Sequence, residues 1–101
     1  MRLDETASQR LFERAIDAHR KGFVEDAKSL YHELLRADPK HAAAHGNLAI
    51  IAAQQGDFVR AEALFRLEIR LNPDSASAYN HLGSVLQQQG KWNEAVAAHQ
   101  P

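Results

Sequence analysis

The chain has 101 residues, a charged fraction of 25%, a hydrophobic fraction of 45% and a formal net charge of -1. That is ordinary for one folded domain and gives no electrostatic reason to bind nucleic acid. The absence of cysteine excludes disulfides, thiol chemistry and cysteine-ligated zinc. No apolar run reaches the roughly 18 residues of a membrane span, and Met1-Arg2-Leu3-Asp4-Glu5 lacks the apolar core of a secretory signal, so a cytoplasmic location without a membrane partner is the default expectation.

In chain order, a first helix is expected from Thr6 to Arg20, opened by the capping box Thr6-Ala7-Ser8-Gln9. A second follows from Val24 to Ala37, a third from Ala42 to Gln55 and a fourth from Phe58 to Leu71. A fifth runs from Ala76 to Gln89 with Ser75 as its N-cap, and a sixth begins near Trp92. No alternating β-branched run marks a strand. The loops are short, as antiparallel helix hairpins require.

Three sets of residues repeat at an interval of 34 positions: Gly22, Gly56 and Gly90; Ala27, Ala61 and Ala95; Pro39 and Pro73. A period of that length signals stacked helical hairpins. The glycines end helices where the turn needs positive φ. The alanines, with Ala15, Ala49 and Gly83, let paired helices approach closely. The prolines keep Asp38 and Asn72 from continuing a helix.

At these residues the chain resembles the tetratricopeptide repeat family, whose pattern is W-x2-L-G-x2-Y, then A-x3-F, then P. The first copy reads Leu11, Arg14-Ala15, Ala18, Ala27, Tyr31, Pro39. The second reads His45, Leu48-Ala49, Ala52, Ala61, Phe65, Pro73, and the third Tyr79, Leu82-Gly83, Leu86, Ala95, His99. The resemblance implies an all-α solenoid of antiparallel hairpins in a right-handed superhelical stack, of about two and a half to three repeats. It divides a single domain over 1–101 into a lead-in (1–7) and repeats at 8–41, 42–75 and 76–101, the last short in its second helix. Arg14 replaces the usual leucine on a wall that faces water. Glu68 stands where the family prefers alanine, which reads as a looser local contact.

The family arrangement places the first helix of each repeat along a concave groove. The groove residues are then Gln9, Phe12, Glu13, Ile16, His19 and Arg20; Ala43, Gly46, Asn47, Ile50, Ala53 and Gln54; and Ser77, Asn80, His81, Ser84, Gln87 and Gln88. Residues 42–56 and 75–90 contain no Lys, Arg, Asp or Glu. Amides donate and accept hydrogen bonds, which suits an extended peptide backbone, while Phe12 and Ile16 can take an apolar side chain. The implied function is peptide or protein binding without catalysis.

Asn80 to Ala95 is locally similar to repeats of protein O-linked N-acetylglucosamine transferases. Asn47 matches the asparagine ladder of those enzymes; Glu13 and His81 interrupt it. A second function is therefore substrate positioning within a larger enzyme of glycosyltransferase or sulfotransferase type. A third is a self-assembling scaffold, a homo-oligomer joined through Leu82, Leu86, Trp92 and Val96 at an uncapped end. Binding of acidic chaperone C-termini is not expected, because the positions that supply cations in that subclass are Phe12, Ile16, Asn47, Ser77 and His81.

No metal or other cofactor is expected. His41 and His45 are four residues apart, but no nearby carboxylate supplies a third ligand. No phosphate loop or nucleophile motif appears. Arg10, Arg14, Arg20 and Lys21 are interleaved with Glu13 and Asp17 at helical spacing, which reads as pairing within one helix.

Overall fold

A computed structural model describes residues 5–90. Within them lie five helices: α1 (Glu5–Arg20), α2 (Val24–Ala37), α3 (Ala42–Gln54), α4 (Phe58–Leu71) and α5 (Ala76–Gln88). The sixth helix expected near Trp92, with Trp92, Ala95, Val96 and His99, lies outside the described residues. Consecutive helices pack in turn, and α3 also meets α5.

The turns within each hairpin are set by glycine. Gly22, Gly56 and Gly90 have φ of 87°, 81° and 76°. In the first, Phe23 N–H donates to Ala18 O at 2.8 Å and Gly22 N–H to His19 O at 3.0 Å. In the second, Asp57 N–H reaches Ala52 O at 2.9 Å and Gly56 N–H reaches Ala53 O at 3.0 Å. This paired pattern satisfies the carbonyls left over at a helix C-terminus. Between hairpins the chain turns at Pro39 and Pro73. There His41 N–H bonds to Asp38 O and Ser75 N–H to Asn72 O, each at 3.2 Å, which puts proline at the second position of each turn, where its fixed φ fits.

The helix starts differ in quality. Asp57, His41 and Ser75 each cap a helix with a side-chain acceptor: Arg60 N–H to Asp57 Oδ1 at 3.2 Å, Ala44 N–H to His41 Nδ1 at 3.1 Å and Ala78 N–H to Ser75 Oγ at 3.3 Å. Phe23 stands where α2 needs a cap and offers none. Helix α1 begins at Glu5, one residue ahead of the expected start, and the side chain of Thr6, the expected cap, lies outside the described residues.

Two apolar clusters hold the stack together. The first gathers Leu11, Ala15, Ala18, Ala27, Tyr31, Leu34, Ala44, Leu48 and Ile51; the second gathers Ala49, Ala52, Ala61, Phe65, Leu82, Val85 and Leu86. Leu64 packs against both. Helix α3 contributes to each cluster from a different side, and that is why its sequence is apolar nearly all round. Fully burying a side chain the size of Leu34 or Phe65 is worth about 1.5–3 kcal/mol. Leu82 and Leu86, expected at an open end, are buried in the second cluster. That turns them inward, so neither presents a surface for a second copy.

Candidate functional site

Of the first helices of the hairpins, α3 meets α5, and α1 is linked to α3 through His19 and Gln54; the expected groove residues lie on these three helices. They are Gln9, Phe12, Ile16 and His19 on α1, Asn47, Ile50 and Gln54 on α3, and Asn80, His81, Ser84, Gln87 and Gln88 on α5. None of these side chains is buried. Phe12, Ile16, His19, Asn47, Ile50 and Gln87 are half-buried, and the others are exposed.

Contacts distant in sequence order this face. His19 Nε2 donates to Gln54 Oε1 at 2.8 Å, tying the end of α1 to the end of α3. Asn47 Nδ2 donates to the Tyr31 hydroxyl at 2.9 Å. Tyr31 is fully buried, so the Asn47 amide is anchored from below and its carbonyl remains to accept. Burial pushes the Tyr31 phenol above its usual range, and the Asn47 hydrogen bond opposes that rise. The Phe12 ring meets Tyr31 edge-on at 6.3 Å between centroids and lies tilted over His41 at 4.8 Å. The His81 ring stacks on buried Phe65 at 5.3 Å. Ser84 Oγ donates back to Asn80 O at 3.2 Å, which turns that hydroxyl toward its own helix.

The structure corrects the reading of Glu68. The side chain lies close against Gly46 of α3. Its carboxylate fills the place where a side chain at Gly46 would stand: a Cβ built there would lie 2.7 Å from Glu68 Oε2. On α3, Ala43 and Ile50 lie one helical turn away on the same face as Gly46, and Asn47 is the next residue along the chain. Glu68 is half-buried, and burial raises its pKa above the ordinary carboxylate value. Sequence reasoning missed this carboxylate because it belongs to α4, which is assigned to the back of the stack. The glycine in mid-helix was the signal that pointed to it.

The acid–base pattern on α1 also differs in part from expectation. Asp17 pairs with Lys21 at 3.0 Å and with Arg20 at 3.7 Å, but Glu13 accepts from Gln9 Nε2 at 3.0 Å. A set of cations unforeseen in the sequence, Arg60 of α4 and Lys28 and Arg36 of α2, acts electrostatically on His32. Burial first, then these three charges, lower the His32 pKa. The paired imidazoles of α3 are both engaged. His41 Nδ1 caps the helix, while His45 Nε2 donates to Pro39 O at 2.9 Å and its Nδ1 is buried without a partner among the described residues. An open depression lined by Arg14, Asp17, Lys21, Phe23 and Leu30 lies on the first hairpin, away from this face. No described helix is long and apolar enough to cross a membrane.

These glycine-ended hairpins at constant spacing match a tetratricopeptide repeat model over residues 12–76 and a second one over 75–101. The chain belongs to the tetratricopeptide repeat family. Among solved structures, the first repeat domain of Spaghetti (RPAP3), bound to the HSP90 peptide SRMEEVD, superposes with a TM-score of 0.88 at 23% identity, covering 97% of this chain and 78% of that one. The second repeat domain of the same protein, bound to the same peptide, gives 0.84 at 23% identity, covering 90% and 84%. The type III secretion translocator chaperone SycD of Yersinia enterocolitica gives 0.86 at 18% identity, covering 94% and 71%. These identities establish a shared fold, an all-α tetratricopeptide solenoid. No curated protein matches the sequence, so the local likeness of Asn80 to Ala95 to O-linked N-acetylglucosamine transferases gains no support.

Proposed function

We propose that this protein is a non-catalytic interaction module that binds an extended peptide or protein segment along the α1–α3–α5 face, the concave side of the stack. The observation that carries this reading is the Asn47 amide held by buried Tyr31, with the half-buried apolar side chains Ile50 on the same helix and Phe12 and Ile16 on its neighbour α1. A fixed amide is a pre-organised acceptor for a backbone N–H, and pre-organisation lowers the entropic cost of binding. The apolar neighbours supply area for one or two anchoring side chains. The structural relatives bound to an HSP90 peptide support the general mode.

The peptide class is expected to differ from theirs. At the positions where an acidic C-terminus needs cations, Phe12 packs on Tyr31 and His41, and His81 stacks on Phe65. A carboxylate set against these rings would lose its water and gain no charge-assisted bond.

The test is a selection of random displayed dodecapeptides, followed by affinity measurement on variants. Ile50→Glu is expected to weaken selected peptides about tenfold or more, as removal of a central anchor does. Glu33→Lys, on the exposed side of α2, is expected to leave them unchanged. Peptides indifferent to Ile50→Glu, or none selected at all, would overturn the reading.

A further inference from the structure

We propose that the Glu68 carboxylate, seated where Gly46 leaves the α1–α3–α5 face without a side chain, is the subsite that takes a lysine or arginine side chain of the bound segment. This rests on the peptide-binding reading above and adds the charge class of the ligand.

Three observations converge on it. First, the glycine sits in the middle of α3, where it costs up to about 1 kcal/mol relative to alanine. Its register mates 34 residues either side are Phe12 and Asn80, so only the central hairpin leaves this place empty of a side chain. What enters instead is a carboxylate from the helix behind.

Second, the carboxylate is unpaired. Burial raises its pKa, and among the described residues no hydrogen bond or ion pair engages it. A half-buried carboxylate without a partner is unfavourable in the free protein. A guanidinium or ammonium group would supply the missing donors, and arginine can do so with two parallel bonds.

Third, nothing on the flanking helices competes. Residues 42–56 and 75–90 carry no charged side chain of either sign, so an incoming cation meets Glu68 without a resident rival. Desolvation by the bound segment strengthens the pair further.

The test uses pools of acetylated, amidated hexapeptides, random at five positions and fixed at one as arginine or as its neutral isostere citrulline. Binding to the whole protein is followed by amide chemical-shift changes at low ionic strength. The arginine pools are expected to bind about tenfold more tightly than the citrulline pools, as a charge-assisted bond implies. In Glu68→Gln the preference is expected to vanish while citrulline pools keep their affinity. Equal binding of both pools by the native chain, with shifts on α1, α3 and α5, would overturn the subsite and leave peptide binding intact. So would an arginine preference that persists in Glu68→Gln. No binding, or shifts confined to other faces, would overturn both. The arginine–citrulline comparison on the native chain decides the matter even if the variant fails to fold.

Discussion

At one register position of its first helix, the first hairpin carries Phe12, packed against the cluster that contains Tyr31 and Leu34. The second hairpin carries Gly46 there, and Glu68 takes the place of Leu34 beneath it. The register is the same, yet the two solutions are chemically opposite. A large ring goes with a buried leucine, and an absent side chain goes with a half-buried carboxylate. The choice on one helix conditions the choice on the other, because an interior packed at crystal-like density leaves no spare volume for both. At this place the first half packs a ring against the cluster of a buried leucine, and the second half holds a half-buried carboxylate.

The sharpest way to break the comparison is to carry the second solution into the first hairpin. Leu34→Glu puts a carboxylate at a fully buried site with Phe12 still in place. It is expected to cost about 4 kcal/mol or more, through lost burial and an unpaired buried charge. Urea unfolding should show a largely unfolded protein at low denaturant.

Next come the helix starts, where the hairpins also differ. Phe23 is 58% exposed and caps nothing, whereas its register mate Asp57 caps α4. Phe23→Asp is expected to stabilise the protein by about 1 kcal/mol, and Asp57→Ala to destabilise it by a similar amount. The check is the urea midpoint at constant slope.

A smaller effect tests the glycine itself. Gly46→Ala combined with Glu68→Ala is expected to gain up to about 1 kcal/mol of helix propensity. In the native background the same Gly46→Ala change must push the carboxylate aside and gains less. A double-mutant cycle should give a coupling of about 0.5–1 kcal/mol, and a value of zero would mean the two residues ignore each other.

The smallest effect is pH dependence. Glu68 has a raised folded-state pKa, so the native state holds its proton more firmly than the unfolded chain does. Its contribution favours folding below the ordinary glutamate range and is lost as pH rises through the raised value. His32 has a lowered folded-state pKa, so its contribution is present above the ordinary histidine range and lost as pH falls below it. Glu68→Gln is expected to raise Tm at pH 7 by about 2 °C, a fraction of 1 kcal/mol after allowing for partial exposure. The gain should disappear at pH 4, and a Tm that falls at pH 7 would contradict the sign.

Features fixed by neighbours in sequence were legible in advance. The bounds of α2 and α4 follow from glycine before and proline after, and Ser75 announces its own cap. Pairings between helices were not legible. His19 finds Gln54 across 35 positions, Asn47 finds Tyr31 on the preceding helix, and Lys28, Arg36 and Arg60 act electrostatically on His32 from two helices. Register names the face a residue occupies but not the residue that rises to meet it from behind. That is why Glu68 read as a defect in packing, and why Leu82 and Leu86 read as an open end.

The most direct test of peptide binding on the α1–α3–α5 face is to map a selected peptide on the protein by amide and side-chain chemical shifts. The prediction is a continuous track through Phe12, Asn47, Ile50 and Gln54, including the Asn47 side-chain amide, with Glu33 and Arg66 on α2 and α4 unmoved. A track centred on the outer surfaces of α2 and α4, with Asn47 silent, would contradict it.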